Sequence, residues 1–296
     1  MHTANPPQGN SKARRAGSEY LGQHSRLGPA QQHVWWKMKK ILSILFAAFL
    51  IASSFSLLVK EKKAFYIIGD STVRNGDGTG KSQQWGWGSF MSAYFDTSKI
   101  SVQNHAIGGR SSRTFITDGR WEKITSKLKK GDYVIMQFGH NDAGPLDDTA
   151  RARGTIRGIG EDSVKTYNPI RKVNETVYSY GWYMRKYIRE ARQAGAIPIV
   201  CSPIPRNDWK NGKVLRSTES YAKWAKEVAV AEGALFIDLN DIVASKYEGM
   251  GAEAVKPFFP VDHTHTNLDG AKLNASIVME KLMQLGVPKL HKFIRK

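Results

Sequence analysis

Five short apolar runs alternate with stretches of helical periodicity after Lys63, and this alternation constrains the fold more than any other feature of the chain. The runs occupy residues 65–69, 100–107, 132–139, 197–203 and 234–240. Their shortness and continuous apolar character are typical of strands buried on both faces of a parallel sheet. Parallel strands need crossover connections, which are usually helices, so the sequence predicts an α/β fold.

The helical stretches complete this prediction. Residues 173–194 carry apolar side chains close to the 3.6-residue period and stop at Gly195, and further helices are predicted over residues 218–232 and 269–285. We therefore predict a three-layer α/β/α sandwich with a central five-stranded parallel sheet. The Gly- and Arg-rich residues 144–162 show no period and predict a long loop over one end of the sheet.

The N-terminal part of the chain has the pattern of an export signal. Residues 41–59 contain no charged side chain and directly follow a basic segment with Lys37, Lys39 and Lys40. This pattern predicts a signal peptide over residues 38–59, and the apolar run is also long enough for an uncleaved membrane anchor. Either interpretation places the predicted globular domain, residues 64–296, in the periplasm or outside the cell. Residues 1–37 are predicted to be disordered, and we expect translation to begin at Met38.

The chain is strongly basic, which bears on its partners. It has 44 Lys and Arg against 26 Asp and Glu, a formal net charge of +18, and 34 of the basic and 24 of the acidic residues follow Lys63. The positive electrostatic field of such a chain favours acidic partners such as nucleic acid, anionic lipid or an acidic polysaccharide. No groove-reading motif accompanies the charge, so we expect no nucleic-acid partner. The single cysteine, Cys201, excludes an internal disulfide framework and a thiolate-based zinc site.

Residues with catalytic potential follow the predicted strands, at the sheet edge where α/β folds bind ligands. They are Ser71, Gly109, Asn141, Asp262 and His265. A serine hydroxyl becomes a nucleophile when a histidine accepts its proton and a carboxylate orients that histidine. We assign these roles to Ser71, His265 and Asp262. The backbone N–H groups of Ser71 and Gly109 and the side-chain amide of Asn141 are expected to form an oxyanion hole.

The sequence around these residues resembles the GDSL/SGNH hydrolases over about residues 65–285. The resemblance rests on GDST at Ser71, GGRSSRTF at Gly109, GHND at Asn141 and DHTHTN at Asp262 and His265. Within the family, the versions GRSSRTF, FGHND and DHTHTN are most similar to those of rhamnogalacturonan acetylesterases. The first block departs from the name-giving sequence because a threonine, Thr72, replaces leucine.

The resemblance implies a flavodoxin-like α/β/α fold, a Ser-His-Asp triad and the removal of acetyl groups from a pectic polysaccharide. Chemistry of this kind needs no metal ion and no cofactor, and we expect a monomer. Galacturonate makes the implied polymer acidic, which suits a basic domain. Arg110 and Arg113 are the candidates for contacting its carboxylates, because a guanidinium can pair bidentately with a carboxylate.

Three alternatives remain open at this stage. The substrate could be another ester, as in a lipase-like enzyme or a different carbohydrate esterase. Asp, Asn and His side chains after the strands could instead hold the metal ions of a phosphoesterase, although the first strand offers no Asp-x-His pair. An inactive carbohydrate-binding relative would use its tryptophans for stacking on sugar rings, but a complete triad has no use in a pure binder.

Overall fold

The computed structural model describes residues 28–58 and 62–295, and the chain divides into two units, Met1–Glu61 and Lys62–Lys296. In the first unit, helix α1 spans Pro29–Leu58, and side chains 28–46 are exposed. The helix includes residues 29–37, for which the sequence predicts disorder, and it begins at Pro29, a residue well suited to a first helical position. Residues 1–27 lie outside the described residues. Among the described residues, no helix combines the length and the apolar character that a membrane crossing requires.

The second unit is built on a five-stranded parallel sheet, as predicted. Strands β1–β9 of this unit are Lys63–Gly69, Ile100–Asn104, Tyr133–Gln137, Ser163–Asn168, Val173–Tyr178, Ile197–Cys201, Trp209–Lys210, Lys213–Val214 and Leu235–Ile237. The central sheet has the order β2-β1-β3-β6-β9, and all of its pairings are parallel. The remaining strands form two antiparallel hairpins, β4–β5 and β7–β8.

Helices cover both faces of this sheet. Helices α2–α8 are Ser112–Thr117, Arg120–Thr125, Tyr180–Gln193, Tyr221–Ala231, Leu239–Met250, Ala252–Val255 and Leu268–Gln284, and short 3₁₀ helices span Trp87–Tyr94, Lys256–Phe258 and Leu290–Phe293. Phe65 and Ile67 of β1 point into a core with α6, α8 and the first 3₁₀ helix, whereas Tyr66 and Ile68 point into a core with α2–α5. Burial on both faces explains why the strands read as continuous apolar runs.

The hairpin β4–β5 corrects one predicted element. Residues 173–178 belong to a strand rather than to the predicted helix over 173–194, and α4 begins only at Tyr180. The segment VNETVY is rich in β-branched and aromatic residues, which favour an extended conformation. Ser179 ends the strand and caps the helix, because its hydroxyl accepts the backbone N–H of Trp182 at 3.0 Å.

Helix α6 is a second difference from the sequence prediction. The last apolar run, 234–240, contains only the three-residue strand β9, and its remainder begins α6. Asp238 is the N-cap residue that starts α6, since its carboxylate accepts the backbone N–H of Asp241 at 3.3 Å. An aspartate in the N-cap position stabilises a helix start, so this one apolar run contributes residues to both β9 and α6.

Candidate active site

Three turns at the carboxyl end of the sheet carry residues that the sequence singles out. Ser71 follows β1, Gly109 follows β2 and Asn141 follows β3. Strand β1 lies between β2 and β3, so the three turns are neighbours at one edge. A ligand crevice is expected where the strand order reverses in an open α/β sheet, which is the position between β1 and β3.

His265 joins Ser71 to Asp262. Its Nε2 atom lies 2.8 Å from Ser71 Oγ, and its Nδ1 atom lies 2.8 Å from Asp262 Oδ2. An imidazole with its proton on Nδ1 donates to the carboxylate and accepts a hydrogen bond from the serine hydroxyl. The arrangement can therefore carry a proton from the hydroxyl to the imidazole without any movement of the chain.

Hydrogen bonds hold the Asp262 carboxylate in its ionised form. Its Oδ1 atom accepts the backbone N–H groups of Thr264 and His265 at 2.7 and 2.8 Å, and its Oδ2 atom also accepts Gln84 Nε2 at 2.8 Å. Burial raises the pKa of Asp262, but the hydrogen bonds from the His265 ring and from the two backbone groups outweigh burial and lower the pKa to about 2. The carboxylate is therefore charged at any pH near neutrality.

Thr72, the departure from the leucine of the name-giving block, has a structural contact network of its own. Its hydroxyl donates to Asp70 Oδ1 at 2.7 Å and accepts Gln137 Nε2 at 2.6 Å. Gln137 Oε1 in turn accepts Trp87 Nε1 at 2.9 Å. These buried contacts fix the turn that presents Ser71, and none of them involves His265 or Asp262.

The turns after β2 and β3 supply hydrogen-bond donors beside Ser71. Gly109 has a φ of +76°, a left-handed conformation that favours glycine. Within the described part of the chain, the backbone N–H groups of Ser71 and Gly109 have no acceptor. Asn141 Nδ2 donates one hydrogen to the carbonyl of Arg110 at 3.0 Å, which leaves its second amide hydrogen for another acceptor. Such donors could stabilise a negatively charged oxygen formed next to the serine.

Asp142 ties the turn after β3 to the start of α2. Its Oδ1 atom accepts the backbone N–H of Ser112 at 3.1 Å and the Ser112 hydroxyl at 2.5 Å. Burial raises the pKa of Asp142 to about 7; the Ser112 hydrogen bonds oppose this rise, and the nearby charge of Asp70 adds to it. Because Asp142 adjoins Asn141 and Ser112 follows the Gly109 turn, this contact sets the spacing of the two turns.

A cavity of about 700 Å³ opens above Ser71 and His265. Its wall is rich in arginine: Arg110, Arg151, Arg153, Arg171 and Arg206. Asp118 is the only carboxylate among the lining residues of the described chain. His140 also lines it, and burial lowers the pKa of this histidine, so its imidazole is neutral. The cavity is therefore strongly positive and suits an anionic ligand.

The structure separates the two arginines that the sequence offers for substrate contact. Arg110 lines the cavity, and its Nε atom lies 2.7 Å from Asp118 Oδ2. Arg113 is fully buried, and its guanidinium binds the carbonyls of Leu146 and Gly154 at 2.9 and 2.8 Å. The prediction of substrate contact is wrong for Arg113, because a side chain with no exposed surface holds the loop instead of facing the cavity.

Sequence reasoning missed Arg151, Arg153, Arg171 and Arg206, which come from three separate segments. Two of them belong to the loop 144–162, whose Gly- and Arg-rich composition was the available signal. Arg171 lies in the turn of the β4–β5 hairpin, and Arg206 follows β6. Only the folding of these segments over the sheet edge brings the four guanidinium groups to one wall.

The metal-ion alternative can be compared with the same side chains. Across residues 28–58 and 62–295, no group of three or more His, Cys, Asp or Glu side chains is arranged to hold a metal ion. His265, one of the histidines that this alternative could use as ligands, contacts Ser71 and Asp262 with its two ring nitrogens.

Known proteins resemble this chain in sequence over most of its length. The model of the GDSL-like lipase/acylhydrolase family matches residues 67–273. A rhamnogalacturonan acetylesterase of Emericella nidulans is 32% identical over 237 residues, which are 79% of this chain and 91% of the relative. YesY of Bacillus subtilis, a probable rhamnogalacturonan acetylesterase, is 31% identical over 236 residues, which are 78% of this chain and 97% of the relative.

A solved structure shares the fold. The protein YxiM of Bacillus subtilis superimposes with a TM-score of 0.62 at 27% sequence identity. The similarity covers 77% of this chain and 58% of YxiM, so this chain spans less than two thirds of that structure.

Proposed function

Because the chain belongs to the GDSL-like lipase/acylhydrolase family and is a carboxylic ester hydrolase, we propose that it is a serine acetylesterase acting on an acetylated acidic polysaccharide. The observation that carries this proposal is the line of contacts from Ser71 through His265 to Asp262, with 2.8 Å at each step, at the base of a cavity. In this proposal Ser71 is the nucleophile, His265 the general base and Asp262 the group that orients the histidine.

The proposed reaction proceeds in two halves. His265 Nε2 takes the proton of Ser71 Oγ as this oxygen attacks the acetyl carbonyl carbon, and the carbonyl oxygen becomes negatively charged. The N–H groups of Ser71 and Gly109 and the amide of Asn141 donate to that oxygen. His265 then returns the proton to the departing sugar oxygen, which leaves an acetyl group on Ser71. A water molecule, deprotonated by His265, releases acetate and restores the serine.

Two observations support an acidic polysaccharide as the substrate. The cavity above Ser71 is lined by five arginines and one carboxylate, so a negatively charged chain is attracted to it. The relatives from Emericella nidulans and Bacillus subtilis are named for rhamnogalacturonan, a polymer that contains galacturonate. We therefore propose removal of acetyl groups from rhamnogalacturonan within pectin. An export signal or anchor over residues 38–59 would bring the enzyme to a polymer of this size outside the cytoplasm.

An acetate-release assay tests the substrate proposal. Purified protein is given acetylated rhamnogalacturonan, acetylated xylan and an aryl acetate, with Ser71→Ala as the control. We expect faster release from rhamnogalacturonan than from neutral xylan, and an advantage that shrinks as salt rises, because screening weakens attraction between separated charges. Equal rates on the two polymers at low salt would contradict the acidic substrate.

A chelator tests the phosphoesterase alternative in the same assay. Ser-His-Asp chemistry uses no cation, so we expect ester hydrolysis to survive extensive treatment with a chelator. Activity that is lost and then restored by a divalent metal would favour the phosphoesterase instead.

A further inference from the structure

Arg153 differs from every other arginine of the cavity wall in its surroundings. Its side chain is partly buried, and within the described residues no carboxylate lies within 4.0 Å of its guanidinium. Arg110 is paired with Asp118 at 2.7 Å and Arg171 with Glu175 at 3.0 Å. Arg151 and Arg206 also lack a carboxylate partner, but both are exposed, and water solvates their charges.

A partly buried cation with no carboxylate in direct contact is costly, because burial removes water and the nearby carboxylates lie too far away to replace it fully. Burial is the largest cause that lowers the pKa of Arg153 and repulsion from Arg151 adds to it, while attraction to Asp142, Asp148 and Asp70 offsets only part of the two. Both causes act against the charged form, although a guanidinium stays protonated in proteins. The charge is therefore stabilised when an anion binds beside it.

The contacts of Arg153 place it next to the reaction. Its Nη1 atom donates to the carbonyl of Gly109 at 3.2 Å, and a Cβ atom at Gly109 would lie 3.7 Å from the same nitrogen. Gly109 is the glycine whose N–H we assign to the oxyanion hole. An anion bound by Arg153 consequently lies close to an acetyl group that Ser71 attacks.

The loop that carries Arg153 is fixed at several points. The carboxylate of Asp148 accepts the backbone N–H groups of Ala150 and Ala152 at 2.9 and 3.0 Å. The backbone N–H of Gly154 donates to the carbonyl of Pro145 at 2.9 Å, and buried Arg113 binds the Gly154 carbonyl on the other side. The loop backbone around Arg153 is thus fixed, and the hydrogen bond to Gly109 restricts the guanidinium, which reduces the entropy cost of binding.

We propose that Arg153 is a specificity residue that binds the free carboxylate of a uronic acid unit next to the acetyl group under attack. The proposal rests on the proposed esterase function. It makes the enzyme selective for uronate units that carry a free carboxylate, because a methyl ester has no charge to pair with the guanidinium. Polymers acetylated to the same degree are then deacetylated at rates set by their methyl esterification.

The experiment compares two forms of one substrate. Acetylated rhamnogalacturonan is used with free carboxylates and after conversion of those carboxylates to methyl esters, and kcat/KM for acetate release is measured on each. We expect the wild type to favour the free acid by at least about tenfold, the size of a charge-assisted hydrogen bond. Arg153→Gln should bring this ratio close to 1, and Arg153→Lys should retain part of the preference.

Two features of the design separate the possible causes. The ratio cancels a general loss of activity that follows from the broken contact with Gly109. Arg189→Gln removes the same charge from α4, where Arg189 pairs with Glu232 outside the cavity, and should keep the wild-type ratio. An unchanged ratio in Arg153→Gln, or a wild-type ratio near 1, overturns the subsite while aryl acetate hydrolysis still supports the esterase. No acetate release from any ester by the wild type overturns both proposals.

Discussion

Two regions of the cavity differ in how their polar groups are satisfied. The catalytic edge, our name for Ser71, Gly109, Asn141, Asp262 and His265, has the side chains to which we assign the reaction joined by hydrogen bonds within the protein. The arginine wall, consisting of Arg151, Arg153, Arg171 and Arg206, includes three described guanidinium groups without a carboxylate partner. In the proposed function, the edge reacts with any acetyl ester, whereas the wall binds an anionic group of the substrate.

The two regions also depend on different parts of the fold. The edge is set by short turns directly after β1, β2 and β3, whose register in the sheet fixes their spacing. The wall depends on a loop and a hairpin held by contacts across the chain, such as Arg113 to Glu175 at 2.5 Å. Changes to the edge should therefore affect every substrate alike, and changes to the wall should affect charged substrates most.

Ser71→Ala should have the largest effect. We expect kcat to fall by about 10⁵- to 10⁶-fold on both the polymer and an aryl acetate, because no other group at the edge can form the acyl-enzyme. Steady-state kinetics on both substrates measure this loss. Ser276→Ala, on an exposed part of α8, is the control for removing a serine hydroxyl. A loss confined to the polymer would assign Ser71 to recognition instead of chemistry.

Asp262→Asn should have the second largest effect, a fall in kcat of about 10³- to 10⁴-fold on both substrates. The asparagine amide no longer holds the His265 proton on Nδ1, so the wrong tautomer faces Ser71. Asp208→Asn is a matched control, since Asp208 pairs with the exposed His263 at 2.7 Å. We expect less than about a threefold change there. Equal losses in the two variants would mean that Asp262 acts only through the fold.

Arg113→Met tests how the wall is supported. This variant removes one partner of a buried ion pair and leaves the Glu175 carboxylate buried without the positive charge of Arg113. We expect the free energy of unfolding to fall by about 3–5 kcal/mol. Arg189→Met breaks the exposed pair with Glu232 and should cost no more than about 1 kcal/mol. Urea unfolding measures both. A surviving Arg113→Met protein should lose more activity on the acidic polymer than on an aryl acetate, and similar costs for the two variants would contradict the structural role of Arg113.

Asp142→Asn should have the smallest effect on activity, because the contact between the two turns is retained, and its effect on stability depends on pH. The folded pKa of Asp142, about 7, lies above the value of about 3.9 for an unfolded aspartate. The folded state therefore binds a proton more tightly, and this group lowers the free energy of unfolding as pH rises from about 4 to about 7. Asparagine does not titrate, so stability of the variant relative to the wild type should rise through that window, by on the order of 4 kcal/mol for a pKa difference of about three units.

Urea unfolding at several pH values measures this difference, and other titrating groups cancel because both proteins contain them. A constant difference between pH 4 and 8 would contradict the raised pKa of Asp142. The amide oxygen of asparagine can still accept from Ser112, so the contact between the two turns is retained in the variant.

Much of the catalytic edge could be predicted because its information is local. A parallel sheet buried on both faces leaves continuous apolar runs in the sequence, and Ser71, Gly109 and Asn141 each follow such a run. The contacts of Thr72 could not be predicted, since Gln137 lies 65 residues away in the chain and is brought close only by the register of β1 and β3.

Two neighbouring arginines show why the rest of the site could not be predicted from the sequence. Arg110 and Arg113 stand three residues apart beside the same glycine, yet one lines the cavity and the other is buried under a loop. Their difference depends on Asp118 and on Glu175, 62 residues from Arg113. Strand β5 was missed for a related reason, because apolar residues at helical spacing continue from it into α4, and its pairing with β4 is not visible in the sequence.

The most direct test of the serine mechanism is labelling with an aryl alkylphosphonate, which reacts with an activated serine and forms an adduct that does not turn over. The protein is incubated with the reagent, esterase activity is followed, and the modified peptide is identified by mass spectrometry. We predict one adduct per chain, on Ser71, with activity lost in proportion to labelling and no labelling in His265→Ala, which lacks the general base. Full activity after exposure to the reagent, or an adduct on another residue with activity lost, would contradict the assignment of Ser71 as the nucleophile.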